Sequence, residues 1–344
     1  MAKIGGEIMD FREMMESKYR DLLVNYIKDE SEQALYQGQK FSRKSIEQKI
    51  SPEDIISLHK SILMDLYPEM PEYVTKSFDI LLEVMIGYGF AYREHQSLRH
   101  VQQELRSEME IAANVQQTLL STDIPKAEGL DIGAISVPAK MMNGDYYHFV
   151  HDDDQVINIA IADVIGKGIP AAMCMSMIKY AMDSLPENRN KPSNVLENLN
   201  RVVEQNVDPS MFITMFYGAY DVLSHVFHYA SAGHEPGLYY QAETKQFSEL
   251  KTKGLLLGVE KKTKYQQFEK RVYPGDMIIL MSDGVTECRT KEGFIDKETL
   301  LGYIRKHMHL DAQNIVKNVY KELEKIQDFQ LRDDFTLIIF KREV

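Results

Sequence analysis

ADVIGKGIPAAM, residues 162–173, closes one apolar run and opens another of a different period. Upstream, VINIAIA (156–162) is an apolar run bounded by Asp, which predicts a strand. Downstream, apolar residues over 169–185 recur at helical spacing. Between them Asp163 stands in a turn with Gly166 and Gly168. The stretch therefore reads as strand, acidic turn, helix.

Three more signals share that form, an Asp at a strand end or turn beside Gly or a second Asp: Gly144-Asp145, Ser282-Asp283-Gly284 and Arg332-Asp333-Asp334. Each abuts an apolar run, and strands are expected over 130–137, 146–150, 156–162, 211–220, 226–230, 277–281 and 335–340. Helices are expected over 169–185, 192–205 and 311–326. Strands and helices fall in separate blocks rather than in strict alternation, which favours α+β packing over a doubly wound sheet.

Taken singly, an Asp-Gly pair is a plain turn. Four of them beside strands can converge from remote parts of a chain, and carboxylates are the oxygen ligands that hard cations such as Mg²⁺ and Mn²⁺ prefer. Neighbouring glycines admit backbone carbonyls and water. No phosphate-cradling Gly-x-x-x-x-Gly-Lys loop and no nucleophile elbow accompanies them. Metal-assisted hydrolysis of a phosphate ester suits an all-Asp site better than acyl transfer does.

The first half has another texture. Residues 10–92 are helical in pattern throughout, with Leu22, Leu23, Tyr26 and Ile27 at helical spacing. Ser51-Pro52-Glu53-Asp54 is a helix start, combining a cap, a first-turn proline and acids at the positive dipole end. A domain of about four helices over 9–92 is expected, with Tyr19, Tyr26, Tyr36, Met64 and Tyr67 in its core. Residues 1–8 read as a disordered leader. From 98 to 120 there is neither Pro nor Gly, and Leu98, Leu105, Ala112 and Leu119 recur every seven residues, joined by Val101 and Val115. That is a coiled-coil seam weakened by Glu108, or a connecting helix packed on its own chain; the linker is placed at 93–122.

The chain has 344 residues, and 52 Asp and Glu against 40 Lys and Arg leave a net charge of −12. An acidic surface argues against nucleic-acid binding. With 44% hydrophobic and 27% charged residues the chain reads as ordinary globular protein. No apolar stretch is long enough to span a membrane and no secretory leader is evident, so the expected location is the cytoplasm. Cys174 and Cys288 read as reduced structural thiols.

GDYYHF (144–149), ADVIGKGIPAAM (162–173), SAGHEPG (231–237), SDGVTE (282–287) and DDFTLI (333–338), in that order, resemble the SpoIIE-type branch of the metal-dependent protein phosphatase 2C superfamily. The likeness runs over 124–344, with the phosphatase domain placed at 123–344. IEQKISPEDIISLHK (46–60) and LLEVMIGYGFAYREHQ (81–96) resemble the N-terminal helices of the Bacillus phosphatases that activate the general-stress sigma factor. The resemblance implies an all-α N-terminal domain followed by two packed antiparallel sheets flanked by helices. It implies a protein serine phosphatase with two Mn²⁺ or Mg²⁺ ions. Asp145 would belong to the metal centre, Asp163 would bridge the ions, the carbonyl of Val164 would be a further ligand, and Asp283 and Asp333 would complete the coordination of the second ion.

Asp334 stands where many members of the superfamily carry Asn, and Asp333 is preferred as the ligand. An early phosphate-holding Arg has no evident equivalent, which leaves Lys167 as a candidate. His234 could donate a proton or order its loop, and Met173, Met175 and Met177 are expected in the core of a helix that switches in this family. The resemblance further implies phosphorylated RsbV, an anti-anti-sigma factor, as substrate, RsbT as activator bound to the N-terminal domain, release of sigma-B, and a homodimer. The alternatives are a phosphatase of this fold in another partner-switching pathway and a non-catalytic adaptor.

Overall fold

The computed structural model describes residues 2–48, 50–151, 155–164, 168–185, 191–208, 211–251, 253–290, 293–329 and 331–344. The chain divides into two compact units, Met1–Arg106 and Ser107–Val344.

In the first unit, α1 (Ala2–Asp29), α2 (Glu32–Glu47), α3 (Pro52–Leu66) and the start of α4 (Glu72–Leu120) are the helices among the described residues. α1 takes in the stretch read as a leader; it contains no proline, and Gly5 and Gly6 weaken a helix without breaking it. The expected start of α3 is present as a capping box, in which Ser51 and Asp54 satisfy each other's backbone N–H groups. Met15, Leu23, Ala34 and Ile62 are buried. Tyr19 packs against Phe41 and His59 at ring-centroid distances of 5.0 and 5.9 Å. The other aromatic and Met positions expected in this core lie outside it: Tyr26, Tyr36, Met64 and Tyr67 are 38 to 56% exposed. A few helices enclose too little volume to bury every apolar face.

α4 runs unbroken for 49 residues, so the expected boundary at 92/93 falls inside one helix. Leu98, Val101, Leu105, Val115 and Leu119 are each about half exposed or more. The helix does not bury its heptad positions on its own chain. No described helix is long and apolar enough to cross a membrane.

The second unit is a sandwich of two five-stranded antiparallel sheets. One sheet orders β1 (Leu130–Val137), β12 (Phe335–Arg342), β9 (Met277–Met281), β6 (Leu238–Gln241) and β7 (Gln246–Glu249). The other orders β2 (Asp145–His151), β3 (Val156–Val164), β4 (Ile213–Asp221), β5 (Val226–Ala232) and β8 (Phe268–Arg271). β3 shows why a continuous apolar run was required. Ile157, Ile159 and Ile161 enter the core between the sheets, where they meet Phe216, Phe227, Ile338 and Phe340. Ala160, Ala162 and Val164 face the other way, toward α5 (Ile169–Asp183) and α6 (Pro192–Asn206).

On the outer face of the first sheet lie α8 (Lys297–His307) and α9 (Ala312–Ile326); α9 buries Ile315, Val316, Val319 and Leu323 at helical spacing. The expected α+β class and the strands and helices named above are present. β6, β7, β8 and α8, along with the two-residue β10 (Arg289–Thr290) and β11 (Gly293–Phe294), were not anticipated. FEKR in β8 and QFSE in β7 carry no apolar alternation, and pairing alone makes them strands.

Replacing fully buried Ile159 with Ala should lower the stability of the second unit by about 3 kcal/mol, whereas Ser51→Ala should cost about 1 kcal/mol in the first. Urea unfolding followed by circular dichroism measures both.

Candidate active site

The four acidic turns meet at one end of the sandwich. Asp145 opens β2 and Asp163 stands next to the end of β3, and the two face each other as register partners across the antiparallel ladder. Val164, buried at the end of β3, donates its N–H to the Gly144 carbonyl at 3.2 Å and extends that pairing by one step. From the other sheet, β9 ends at Met281 and runs through Ser282 into the single turn α7 (Asp283–Thr286). Ser282 and Thr336 exchange hydrogen bonds, Ser282 N to the Thr336 carbonyl and Thr336 N to Ser282 Oγ, both at 3.0 Å. That exchange places Asp283 beside Asp333 and Asp334, which directly precede β12.

Gly284 makes this approach possible. A Cβ at Gly284 would lie 2.0 Å from the Asp334 carbonyl oxygen, so no other residue fits the third position of Ser-Asp-Gly. The two acids of the pair differ in surroundings. Asp334 is buried, its Oδ1 accepts the Ala139 N–H at 2.7 Å, and its Oδ2 accepts the Gly144 N–H. Asp333 is exposed, and one of its oxygens accepts the Asp334 N–H at 3.1 Å. Asp334 therefore spends its carboxylate on the backbone.

The acids repel one another. Burial pushes the Asp145 carboxyl well above the usual carboxylate range; the Ser282 and Thr336 hydroxyls act against this, and the charges of Asp163 and Asp334 add to it. Its Oδ2 is buried with no hydrogen-bond partner. Asp283 is raised by burial, then by the charges of Asp333 and Glu287, with the Gly284 N–H opposing and Asp334 adding. These couplings join Asp145 to Asp163 and Asp283 to Asp333, and Asp334 acts on both Asp145 and Asp283. Among the described residues no three Asp, Glu, His or Cys side chains close on a single point. The donor set nonetheless fits a hard divalent cation: its oxygens are carboxylate, one of them is orphaned, and the like charges need a countercharge.

His234 is fully buried, its Nδ1 sits 2.8 Å from Thr214 Oγ1, and its backbone N–H donates to Ser231 Oγ. Burial pushes it down to about 4, so the ring is neutral at pH 7. Its hydrogen bonds to Thr214 and Ser231 order the SAGHEPG turn. Met175 is buried as expected, but Met173 is 68% exposed on α5. Helical spacing turns Met173 away from the face that Ala171, Cys174, Met175 and Ile178 bury. Cys174 and Cys288 are buried and unbridged. Lys167 lies outside the described residues. Sequence reading gave no role to Ser136, Asn143 and above all Gln116 of α4, which lie in none of the quoted motifs, or to Ser282 and Thr336, which lie inside two of them as neighbours of the acids.

Residues 153–343 match the family described as stage II sporulation protein E (SpoIIE), and residues 17–91 match the N-terminal domain of phosphoserine phosphatase RsbU. Over 336 residues the chain is 63% identical to the phosphoserine phosphatase RsbU of Bacillus subtilis strain 168, covering 98% of this chain and 100% of that one. In fold, the SiaA-PP2C domain of Pseudomonas aeruginosa is similar at 18% identity with a TM-score of 0.60, covering 70% of this chain and 98% of that domain. The RsbU and RsbW domains of Rv1364c from Mycobacterium tuberculosis are similar at 23% identity and a TM-score of 0.53, over 65% of this chain and 64% of that one.

Asp145→Asn keeps the shape and removes a buried charge, so it should raise the Tm of the metal-stripped protein by about 3–6 °C, from relief of roughly 1–2 kcal/mol. Because the folded-state pKa lies above the ordinary 3.8, that advantage over wild type should be full above the folded-state value, shrink as the pH falls below it, and vanish below 3.8. Thermal melts of both proteins across pH, in the presence of a chelator, measure this.

Proposed function

We propose, from the premise that this chain belongs to the SpoIIE-type family of serine phosphatases and carries an RsbU N-terminal domain, that it dephosphorylates RsbV with the aid of Mn²⁺ or Mg²⁺ and is activated by RsbT. The enzyme class follows from the family: the chain is a protein serine phosphatase, and a hydrolase of phosphoric monoesters. The observation that carries the site assignment is the facing of Asp145 and Asp163 on adjacent strands, with Asp283 and Asp333 brought to the same end of the sandwich.

Asp145, Asp163, Asp283 and Asp333, with the Val164 carbonyl, would hold two divalent ions. Bound there, such ions activate water as a nucleophile and neutralise charge on the phosphoryl oxygens. Asp334 has another role, holding the Ala139 and Gly144 backbone so that Asp145 stays aimed at the site. His234 keeps its turn in shape through Thr214 and Ser231.

Phosphorylated RsbV as the substrate, and sigma-B release in the cytoplasm as the consequence, rest on the likeness to the Bacillus subtilis protein over nearly the full chain. The Mycobacterium tuberculosis relative joins an RsbU domain to an RsbW domain, which supports a partner-switching setting. RsbT docking and homodimer formation through the first unit are supported by the exposed Tyr26, Tyr36, Met64 and Tyr67. The exposed heptad positions of α4 support a coiled coil between two chains, with Glu108 keeping it weak enough to respond to the activator.

Asp163→Asn should lower phosphate release from phosphorylated RsbV by about 10²–10³ or more in saturating Mn²⁺ while circular dichroism stays unchanged; retained turnover would overturn the site assignment. Wild type should lose its activity in EDTA and gain from RsbT, and an active enzyme indifferent to RsbT would remove the regulatory half. Glu108→Leu should tighten self-association about tenfold or more by burying a leucine in the seam, and raise activity without RsbT. Sedimentation equilibrium and a phosphate-release assay on the same sample test that pairing.

A further inference from the structure

The far end of α4 carries a buried polar contact. Gln116 is 5% exposed, between exposed Val115 and Gln117, and it is the one side chain of α4 buried among the described residues. Its Nε2 donates to the Asn143 carbonyl at 2.8 Å, and its Oε1 accepts the Asn143 N–H at 3.1 Å. One side-chain amide thus takes both hydrogen-bonding groups of one backbone residue, as a neighbouring strand would. The same Nε2 lies 3.7 Å from Met175 Sδ on α5.

Asn143 passes the contact on. Its Oδ1 accepts the Asp145 N–H at 3.0 Å, and its Nδ2 donates to Ser136 Oγ at 2.7 Å. Ser136 Oγ shares a 3.0 Å hydrogen bond with Thr336 Oγ1, and the Thr336 hydroxyl is one of the two that act on Asp145. The helix therefore reaches Asp145 by two routes, through its backbone and through its hydroxyl neighbours. The last turn of α4 is also fastened by Lys179 of α5, whose Nζ donates to the Leu119 carbonyl at 2.7 Å.

We propose that Gln116 is a positioning residue for the metal centre, setting Asp145 through Asn143 and with it the affinity for a divalent cation. The proposal rests on the reading of Asp145 as a metal ligand given above. A helix places successive side chains about 100° apart. Rotation of α4 by one residue would replace the Gln116 amide with Val115, which can bond neither Asn143 group, or with Gln117 from another direction. The Asn143 peptide would then lose both partners, and Asp145 would lose its fixed approach.

The test uses the full-length, metal-stripped chain, with isothermal titration of Mn²⁺ and turnover of p-nitrophenyl phosphate. Gln116→Met keeps the length and helix propensity and removes both amide bonds. It should raise the Mn²⁺ Kd about 10- to 100-fold, the range for groups that orient metal ligands, while kcat at saturating Mn²⁺ stays within about threefold of wild type. Gln116→Glu retains the acceptor for the Asn143 N–H and loses the donor, so its Kd should fall between the two. If Gln116→Met does not fold, Asn143→Ala cuts the same route one step nearer to Asp145 and should weaken Mn²⁺ binding alike. A purely structural role would lower Tm and leave the Kd of the folded protein unmoved, and that result would overturn the proposal. Asp163→Asn separates the two readings. If it binds Mn²⁺ as wild type does, the metal centre itself is misassigned; if it loses binding while the Gln116 and Asn143 variants keep it, only the positioning role fails.

Discussion

Two hydrogen bonds to the Asp334 carboxylate hold the end of the sandwich together. Asp334 directly precedes β12 in one sheet, Ala139 follows β1 in the same sheet, and Gly144 leads into β2 of the other. A buried carboxylate that accepts two backbone N–H groups is worth more than a pair of neutral hydrogen bonds, and losing it would leave both amides unsatisfied away from water. The clamp also fixes spacing. With Gly144 tied to Asp334, the Asp145–Asp163 pair of one sheet cannot drift from the Asp283–Asp333 pair of the other.

Such a site sets activity against stability. Folding drives like charges together and withdraws Asp145 from water, which is unfavourable for the metal-free chain. The cost is borne by the layers on either side. The isoleucine rows of β3 and the aromatic cluster of Phe216, Phe227, Tyr229 and Phe340 stack between the sheets, and α9 covers the outer face. A rigid core lets a repulsive cluster persist, because relaxing the acids would mean breaking β ladders whose registers are set by packing on both faces.

The helical part of the chain has the opposite character. Its apolar side chains exceed what a few helices can enclose, and the excess is displayed on the first unit and along α4. The end of α4 is held by Gln116, Leu120 and Lys179 while its heptad positions stay exposed. Such exposure suits the proposed relay, in which the seating of the helix has to be adjustable by the modest energies of association.

Much of this was legible in the chain itself. The apolar runs of β1, β3 and β9, the 3.6 period of α5 and α9, the Ser51-Pro52 start of α3, and the acidic turns at 145, 163, 283 and 333 follow from local chemistry that neighbouring residues alone dictate. The short strands β7 and β8 were invisible because their only reason to be extended is the strand beside them. Likewise, Asp333 and Asp334 are equivalent as letters, and only the arrival of Ala139 and Gly144 makes one a clamp and leaves the other at the surface. Gln116 is an ordinary residue on a helix until folding brings it against Asn143, 27 positions away. Periodicity is a property of the backbone's own geometry and can be read along the chain, whereas the partner of a polar side chain is settled by which strands pair and which faces are buried, and that exists only in three dimensions.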